Sequence, residues 1–234
     1  MATSGWSIIG TDNGVGNTTV SAAIAAVAMA AGRHVTIAKP VQTGSQDDTA
    51  AVDRLVGSPV GKQGWKLARP LDPGLAAELG GDRLYPGEVV QWTLHALTGV
   101  DIGIVDTSGG GAVELKEGFN NADLAAAVGL SAVVVCRPGR GSLNHAVLTV
   151  DHLRARHVDV AGIVVNRFPI QPSIVEAANM AELERITRYP LVGVLPDGSR
   201  EPAAFAAAAI HGLSSRFGGR FDRVAFLAQM AALV

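Results

Sequence analysis

Two kinds of segment alternate along this chain, and their alternation restricts the fold more than any other feature. Short apolar runs rich in valine, such as residues 132–136, are separated by longer Ala-rich stretches, such as residues 18–31, with glycines at the junctions. Short apolar runs of this kind are typical of strands buried on both faces of a parallel sheet, and the longer stretches have the composition of helices. The pattern therefore predicts an α/β fold, with a mostly parallel sheet and helices on both of its faces.

The predicted elements cover most of the chain. Strands are expected at residues 6–10, 34–38, 103–106, 132–136, 160–165 and 191–195. Helices are expected at residues 18–31, 48–56, 87–97, 121–128, 142–156, 172–187, 202–211 and 223–233. Residues 57–85 contain several prolines and have weak periodicity, so we expect them to pack as an excursion over one face of the sheet. Because no repeat, linker or long charge run marks a boundary, residues 1–234 are expected to form a single domain.

Charge and cysteine content exclude several classes of partner and site. The chain has 19 Lys and Arg residues against 21 Asp and Glu residues, a net charge of −2, which creates no field to attract nucleic acid or an anionic membrane. The single cysteine, Cys136, excludes an internal disulfide and a multi-cysteine zinc site. With no signal-like leader and no apolar stretch of about 18 residues, the sequence predicts a soluble, cytoplasmic protein.

The turn after the first predicted strand has the form of a phosphate-binding loop. Residues 10–19 read Gly-Thr-Asp-Asn-Gly-Val-Gly-Asn-Thr-Thr and lead directly into an Ala-rich helix. Backbone N–H groups and the positive end of the helix would converge on an anion there, and the glycines let the backbone come close to it. A plain glycine turn between a strand and a helix is the alternative. The expected phosphate-binding residues are Asp12, Asn13, Gly14, Val15, Gly16, Asn17, Thr18 and Thr19.

One position of this loop departs from the usual pattern. A phosphate loop has a lysine immediately before the Ser/Thr whose hydroxyl coordinates Mg²⁺, whereas this chain has Asn17 before Thr18. Asparagine donates hydrogen bonds but carries no charge, so its attraction to the β- and γ-phosphates is weaker. We expect Arg140 or Lys39 to supply the missing charge.

Polar side chains follow other predicted strands, and parallel strands present such residues at one edge of the sheet. Lys39 follows the second strand, where a half-buried lysine needs an anionic partner. Asp106 ends the third strand, at the position of an acid that helps to bind nucleotide-associated Mg²⁺. Asp47, Asp48 or Glu114 could reach the same ion. A snorkelling lysine and a helix-capping aspartate are the structural alternatives.

The loop and the segment after the second strand resemble one family, the dethiobiotin synthetases, which are of the phosphate-loop NTPase type. The family's loop reads Gly-Thr-x-Thr-x-Val-Gly-Lys-Thr, and residues 10–18 follow it except at Asn13 and Asn17. The family's Lys-Pro-Val-x-Ser/Thr-Gly segment is present at residues 39–44.

Three later segments extend the resemblance over nearly the whole chain. The family's Val-Glu-Gly-Ala-Gly-Gly is represented by residues 105–110, with Asp106 in place of the glutamate. Residues 141–146, Gly-Ser-Leu-Asn-His-Ala, match the family's segment at its dimer interface. Asn166 stands where many members bind the nucleotide base with an asparagine.

The resemblance implies ATP-dependent closure of a ureido ring on 7,8-diaminopelargonate with CO₂, which gives dethiobiotin, ADP and phosphate in biotin synthesis. It also implies Mg²⁺ held by Thr18, Asp48 and Asp106. Lys39 would hold the carbamate formed from the diamine and CO₂, and Thr43 would hydrogen-bond the transferring phosphoryl oxygens.

The same resemblance implies a homodimer whose subunits complete each other's substrate sites. Gly109 and Gly110 would contact the diamine substrate, and Leu143 and Asn144 would reach the substrate of the neighbouring subunit. Two alternatives remain open because Asn17 changes the loop. One is a relative that binds nucleotide or substrate without synthetase activity, and the other is an ATP-dependent ligase or amidotransferase-like enzyme that acts on another amine or carboxylate.

Overall fold

A parallel sheet forms the centre of the computed structural model, which describes residues 4–198 and 201–234. The strands are β1 (Ser4–Gly10), β2 (Val35–Thr43), β3 (Gly61–Leu67), β4 (Ile102–Gly110), β5 (Glu114–Lys116), β6 (Phe119–Asn120), β7 (Ser131–Cys136), β8 (Val160–Phe168) and β9 (Leu191–Pro196). Within those two ranges, seven strands form the main sheet in the order β3-β2-β4-β1-β7-β8-β9, and all neighbours run parallel. Strands β5 and β6 pair with each other as an antiparallel hairpin.

Helices cover both faces of the main sheet. They are α1 (Asn17–Ala30), α2 (Asp48–Val56), α3 (Pro73–Gly80), α4 (Pro86–Ala96), α5 (Asn121–Val128), α6 (Ser142–Ala155), α7 (Ile174–Thr187), α8 (Pro202–Gly212) and α9 (Arg223–Ala231). Helices α1, α2 and α8 pack on one face, and the other six pack on the opposite face. Among the described residues, no helix is both long and apolar enough to cross a membrane. The predicted α/β fold with a parallel sheet is confirmed.

Alternate residues of the central strands enter opposite cores. In β7, Val133 and Val135 pack against α1, whereas Val134 and Cys136 pack on the side of α6 and α7. Because side chains alternate across a strand, a strand with a helix layer on each face must be apolar at every position. This requirement explains the continuous apolar runs in the sequence.

Strands β2 and β4 extend by at least four residues beyond their predicted ends. Strand β2 was expected at residues 34–38 but continues to Thr43, and β4 was expected at residues 103–106 but continues to Gly110. Lys39 and Asp106 therefore lie within strands, where their exposed fractions are only 3% and 1%. The sequence analysis had placed them at the strand ends, where both would be nearer to solvent.

The prediction that residues 57–85 form an excursion over one face was wrong. This segment contains β3, which pairs with β2 at the edge of the main sheet, and then helix α3. Strand β3 reads Gly-Lys-Gln-Gly-Trp-Lys-Leu and is mostly half-buried or exposed, so it has no apolar run. An edge strand has one unpaired side and tolerates polar residues and glycine, which removes the signal that marks a central strand.

Candidate active site

The β1–α1 turn leaves the start of a helix open to an anion. Gly16, with φ of 106°, is the N-cap of α1, and the described residues supply neither a side-chain cap nor an acidic residue in its first turn. The first N–H groups of a helix have no partners within the helix, and its N-terminus carries partial positive charge. Val15 is buried in the core and anchors the turn from below. The turn can therefore bind phosphate through its backbone.

Two side chains from neighbouring strands hold the outer carbonyls of this turn. The Asn166 side-chain amide, at the end of β8, donates a hydrogen bond to the Val15 carbonyl at 2.9 Å. The Arg137 guanidinium, just after β7, donates to the Gly14 carbonyl at 2.9 Å. A Cβ at Gly16 would lie 1.9 Å from Asn166 Nδ2, so only glycine fits there.

Asn17 connects the loop to the end of β4. Its buried side-chain amide donates to the carbonyls of Thr107 and Gly109, each at 3.1 Å. Its Oδ1 is buried and has no hydrogen-bond partner within the described ranges. At the position of the usual lysine, this chain thus has an uncharged side chain that connects two loops by hydrogen bonds. Its acceptor atom, Oδ1, is not used in these hydrogen bonds.

A buried ammonium joins two carboxylates beside the loop. Lys39 Nζ lies 2.7 Å from Asp48 Oδ2 and 3.3 Å from Asp106 Oδ2. The Thr18 hydroxyl donates to the same Asp106 oxygen at 3.0 Å. Burial alone would lower the pKa of Lys39, but the carboxylates of Asp106 and Asp48 outweigh it and raise that pKa. Lys39 therefore stays charged at neutral pH.

These groups surround a small cleft with a volume of about 200 Å³. It brings together the loop, Lys39 and Thr43 from β2, Asp48 at the start of α2, and the segment after Asp106. The lining residues are Asn13, Gly14, Gly16, Asn17, Thr18, Lys39, Gln42, Thr43, Gln46, Asp48, Thr107, Ser108 and Gly109. The cleft is therefore lined by one cation, Lys39, and one acid, Asp48, while Asp106 is buried next to Lys39 and Thr18.

The two alternative acids lie elsewhere. Asp47 caps α2 by accepting from the Ala50 N–H at 2.9 Å, and it lies 3.7 Å from Lys66. Glu114 lines a second, larger cavity of about 1290 Å³ rather than the small cleft. Of the three candidate acids, Asp48 is therefore the one beside Thr18 and Asp106.

The remaining predicted site residues are spread over several places. Asp12 and Gly110 line the larger cavity, together with α3, the β5–β6 hairpin and α6. Thr19 is half-buried in the first turn of α1. Leu143 packs partly against the core and Asn144 is exposed, so the structure brings neither into the small cleft of its own subunit.

Sequence analysis missed several side chains around the cleft. Gln42, Gln46 and Ser108 line it, and Asn121 donates to the carbonyls of Ser108 and Gly110, which holds the glycine segment in place. Polar residues next to Lys39 and Asp106 were the available signal. Arg140, expected to approach the loop, is exposed, and no hydrogen bond or ion pair involves its side chain in the described part of this subunit.

The oxygen atoms near Thr18 fit a hard divalent cation. Asp106 Oδ1 is buried and has no hydrogen-bond partner among residues 4–198 and 201–234. Two carboxylates and a hydroxyl are the ligands that Mg²⁺ takes when water and phosphate oxygens complete its shell. Within the same ranges, no group of three or more His, Cys, Asp and Glu residues could hold a metal without such help.

Covalent catalysis by cysteine has no support in this structure. Burial raises the pKa of the Cys136 thiol to about 12, so it is not a thiolate at neutral pH. The chemistry of the site therefore rests on the loop, the ammonium, the hydroxyls and the carboxylates.

The fold and this site define a phosphate-loop NTPase-like α/β protein. The sequence profile of the AAA domain family matches residues 5–200. A ParA family ATPase from Chlorobium tepidum aligns with a TM-score of 0.57 at 15% identity, covering 99% of this chain and 98% of that one. The septum site-determining protein MinD from Pyrococcus horikoshii, complexed with Mg-ADP, aligns with a TM-score of 0.53 at 15% identity, covering 98% and 94%. These structural similarities concern the fold alone.

Sequence relatives identify the family. The ATP-dependent dethiobiotin synthetase BioD of Saccharopolyspora erythraea is 38% identical over 222 residues, which covers 92% of this chain and 98% of that protein. The protein of the same name from Mycobacterium avium is 39% identical over 221 residues, covering 92% and 94%. The chain belongs to the dethiobiotin synthetase family, and the predicted resemblance is confirmed.

Proposed function

We propose that this chain catalyses the ATP-dependent closure of a ureido ring on 7,8-diaminopelargonate with CO₂, despite the replacement of the loop lysine by Asn17. One observation carries the proposal above all: Lys39, Thr18, Asp48 and the open helix N-terminus meet in a single cleft of about 200 Å³. This is the set of groups that phosphoryl transfer needs, because the reaction depends on positioning and charge stabilisation more than on side-chain bases.

The nucleotide would bind across the β1–α1 turn. Backbone N–H groups of residues 12–19 would hold its phosphates. Asn166 is 1% exposed, and its Oδ1 is buried without a hydrogen-bond partner in the described residues. An acceptor in that position suits the exocyclic amine of adenine, which supports ATP as the nucleotide.

The metal site would consist of Thr18, Asp48 and Asp106. Mg²⁺ bound there neutralises the charge that develops on the transferring phosphoryl group. The orphaned Asp106 Oδ1 and the hydroxyl of Thr18 support this assignment.

The larger cavity suits the diamine. It adjoins the loop through Thr11, Asp12 and Asn13 and reaches the glycine segment at Gly110. The cavity is lined by more acidic residues than basic ones, which are Arg83 and Lys116. This excess of negative charge would attract the protonated amines of the substrate. The acids are Asp12, Asp72, Glu78, Asp82, Glu114 and Glu117.

The reaction would proceed in two bond-forming steps. Lys39 holds the carbamate that forms from one substrate amine and CO₂, and the carbamate oxygen attacks the γ-phosphorus of ATP while ADP leaves. Thr43, which lines the same cleft, donates a hydrogen bond to the transferring phosphoryl oxygens. The second amine then attacks the carbonyl carbon, loses a proton and displaces phosphate, which closes the ring.

The protein would work as a cytoplasmic homodimer. Asn144 is exposed at the start of α6, and Leu143 is only partly buried there. Both are therefore available to a substrate bound in the neighbouring subunit, as the family resemblance implies.

A four-component assay tests this function. Phosphate release should require ATP, Mg²⁺, bicarbonate and the diamine together, and omission of any one should reduce release to background. Formation of dethiobiotin, measured by mass spectrometry, should match the phosphate released. ATP-dependent phosphate release without formation of dethiobiotin from the diamine would contradict the proposal.

The Asn17 ties favour one alternative, a binding protein without synthetase activity. The Asn17 amide is already bonded to two carbonyls, so it has no spare N–H for a phosphate. This alternative predicts thermal stabilisation by MgATP or by the diamine with no phosphate release in the complete mixture. Turnover above the background rate would exclude it.

A further inference from the structure

Arg137 contacts the phosphate loop but does not line the small cleft. Its guanidinium bonds to the Gly14 carbonyl at 2.9 Å, although the two residues are 123 positions apart in the sequence. It is not among the residues that line the cleft of Lys39 and Asp48. Sequence analysis assigned Arg137 no role, and the reaction proposed above does not use it.

The sheet places Arg137 beside both the loop and Asn166. Strand β7 lies between β1, which leads into the loop, and β8, which ends near Asn166. Gly10 pairs with Val135, and Cys136 pairs with Val165, so the residues that follow these positions lie side by side. Asn166 bonds to the Val15 carbonyl and Arg137 to the adjacent Gly14 carbonyl.

A nucleotide with its phosphates in the cleft and its base at Asn166 would lie next to the carbonyls of Gly14 and Val15. The Arg137 guanidinium is bonded to the first of these carbonyls, so it would lie beside the ribose and one face of the base.

The Arg137 guanidinium has unused N–H donors and an unpaired positive charge with which it could contact the nucleoside. Its side chain is exposed, and no carboxylate pairs with it in the two described ranges. Lys39, by contrast, is held by two carboxylates. Of the five N–H groups of an arginine, the Gly14 contact uses one.

We propose that Arg137 binds the nucleoside part of ATP, with its planar guanidinium against the base and its free N–H groups on the ribose oxygens. This inference rests on the proposed function for the position of the nucleotide. Arginine stacks on aromatic faces through both charge and planarity, and lysine does not reproduce this contact. Arg137 is a binding residue here, and it supplies affinity that the neutral Asn17 cannot draw from the phosphates.

Paired ligands with and without the nucleoside test the assignment. Dissociation constants of ATP and of inorganic tripolyphosphate, both with Mg²⁺, are measured by calorimetry for the wild type, Arg137→Ala and Arg137→Lys. The Ala variant should bind ATP about tenfold more weakly and bind tripolyphosphate unchanged. The Lys variant should recover only part of the ATP affinity. Arg33→Ala, which changes an exposed arginine beyond the end of α1 that is away from the loop, is the matched control and should leave both constants unchanged.

Chemical modification gives a second measurement on the unchanged protein. Phenylglyoxal should modify Arg137 and Arg33, and peptide mass spectrometry measures each separately. ATP should protect Arg137 and leave Arg33 reactive, whereas tripolyphosphate should protect neither.

The outcomes separate this inference from the proposed function. Equal losses of ATP and tripolyphosphate affinity in Arg137→Ala, full recovery in Arg137→Lys, or unprotected Arg137 at saturating ATP would each overturn the assignment. Phosphate release by the wild type in the complete mixture would stand in any of these cases. A wild type that binds ATP with the expected Arg137 effects but releases no phosphate would overturn the proposed function and keep the assignment.

Discussion

At the residue scale, Asn17 connects two loops at the position where a phosphate loop usually has a lysine. Replacing it with lysine restores a cation next to Thr18, so the Asn17→Lys variant should bind MgATP at least about tenfold more tightly. Calorimetric titration of the wild type and the variant measures this change.

Asn17→Ala is the matched control for this prediction. It removes the hydrogen bonds to Thr107 and Gly109 without adding charge, so it should lower thermal stability and should not improve binding. If the lysine variant binds MgATP no better than the wild type, the side chain at position 17 does not contact the phosphates.

Lys39 contacts one oxygen of each carboxylate that would hold a metal ion. Its ammonium lies between Asp48 and Asp106, and the Lys39→Met variant removes the positive charge that holds these two acids together. Burial and, to a smaller extent, Asp48 already raise the pKa of Asp106, so a divalent cation is needed to keep both acids ionised in the variant. We expect that variant to melt at a lower temperature without divalent ions, to regain stability with Mn²⁺, and to bind Mn²⁺ more tightly than the wild type in the absence of nucleotide.

Electron paramagnetic resonance of free Mn²⁺ measures the affinity, and thermal unfolding measures the stability. Lys66→Met is the control, because exposed Lys66 pairs only loosely with Asp47, at 3.7 Å, outside the cleft. Equal Mn²⁺ affinity in the wild type and the Lys39 variant would mean that the ion does not share the oxygens of Lys39.

Single residues also mark the limit of what the sequence could predict. Lys39, Thr18 and Asp106 were expected near one another, and their distances agree with that expectation. The spacing could not separate Asp47 from Asp48, because adjacent residues at a helix start can each be the cap, and the structure is needed to identify Asp47 as the cap. Arg137 has no pattern around it and becomes notable only beside Gly14.

At the element scale, the β1–α1 loop has no room for a side chain at Gly16. A Cβ there would lie 1.9 Å from Asn166 Nδ2, and φ of 106° disfavours other residues. Gly16→Ala should lower the free energy of unfolding by about 1–3 kcal/mol and abolish nucleotide binding, because Asn166 must leave the Val15 carbonyl. Urea unfolding and calorimetry provide the two readouts.

Gly129→Ala separates backbone strain from the contact with Asn166. Gly129 ends α5 with φ of 71°, and nothing lies within 4 Å of its added Cβ. This variant should lose stability through strain alone and keep nucleotide binding. If both variants keep nucleotide binding, the tie between Asn166 and the loop does not support the site.

The strands that the sequence predicts are those with packing on both faces. Continuous apolar runs identify β1, β2, β4, β7, β8 and β9 because both faces of each strand are buried. Strand β3 was missed because it lies at the edge, and the two-residue strand β6 is too short to have a period. Because β3 has no apolar run, residues 57–85 give no strand signal and were predicted to pack over one face of the sheet.

At the scale of the whole molecule, the small cleft was predictable and the larger cavity was not. The cleft lies where parallel strands end at one edge of the sheet, and that edge follows from the strand pattern alone. The cavity of about 1290 Å³ is enclosed by α3, the β5–β6 hairpin and α6. Two of these three parts were missing from the predicted elements, so no sequence argument could place the cavity.

The larger cavity is also where a second subunit is expected. Leu148 lines it, lies one helical turn after Asn144 on α6, and is 61% exposed. A charge there would oppose burial against another subunit, so Leu148→Glu should convert a homodimer into a monomer at micromolar concentration and reduce diamine-dependent phosphate release. Sedimentation velocity measures the first effect.

Ile170→Glu is the control, because Ile170 is an aliphatic residue, 91% exposed, outside that cavity, and its variant should remain dimeric. A wild type that sediments as a monomer while turning over the diamine would show that each subunit completes its own site, and Leu143 and Asn144 would then have no substrate to reach.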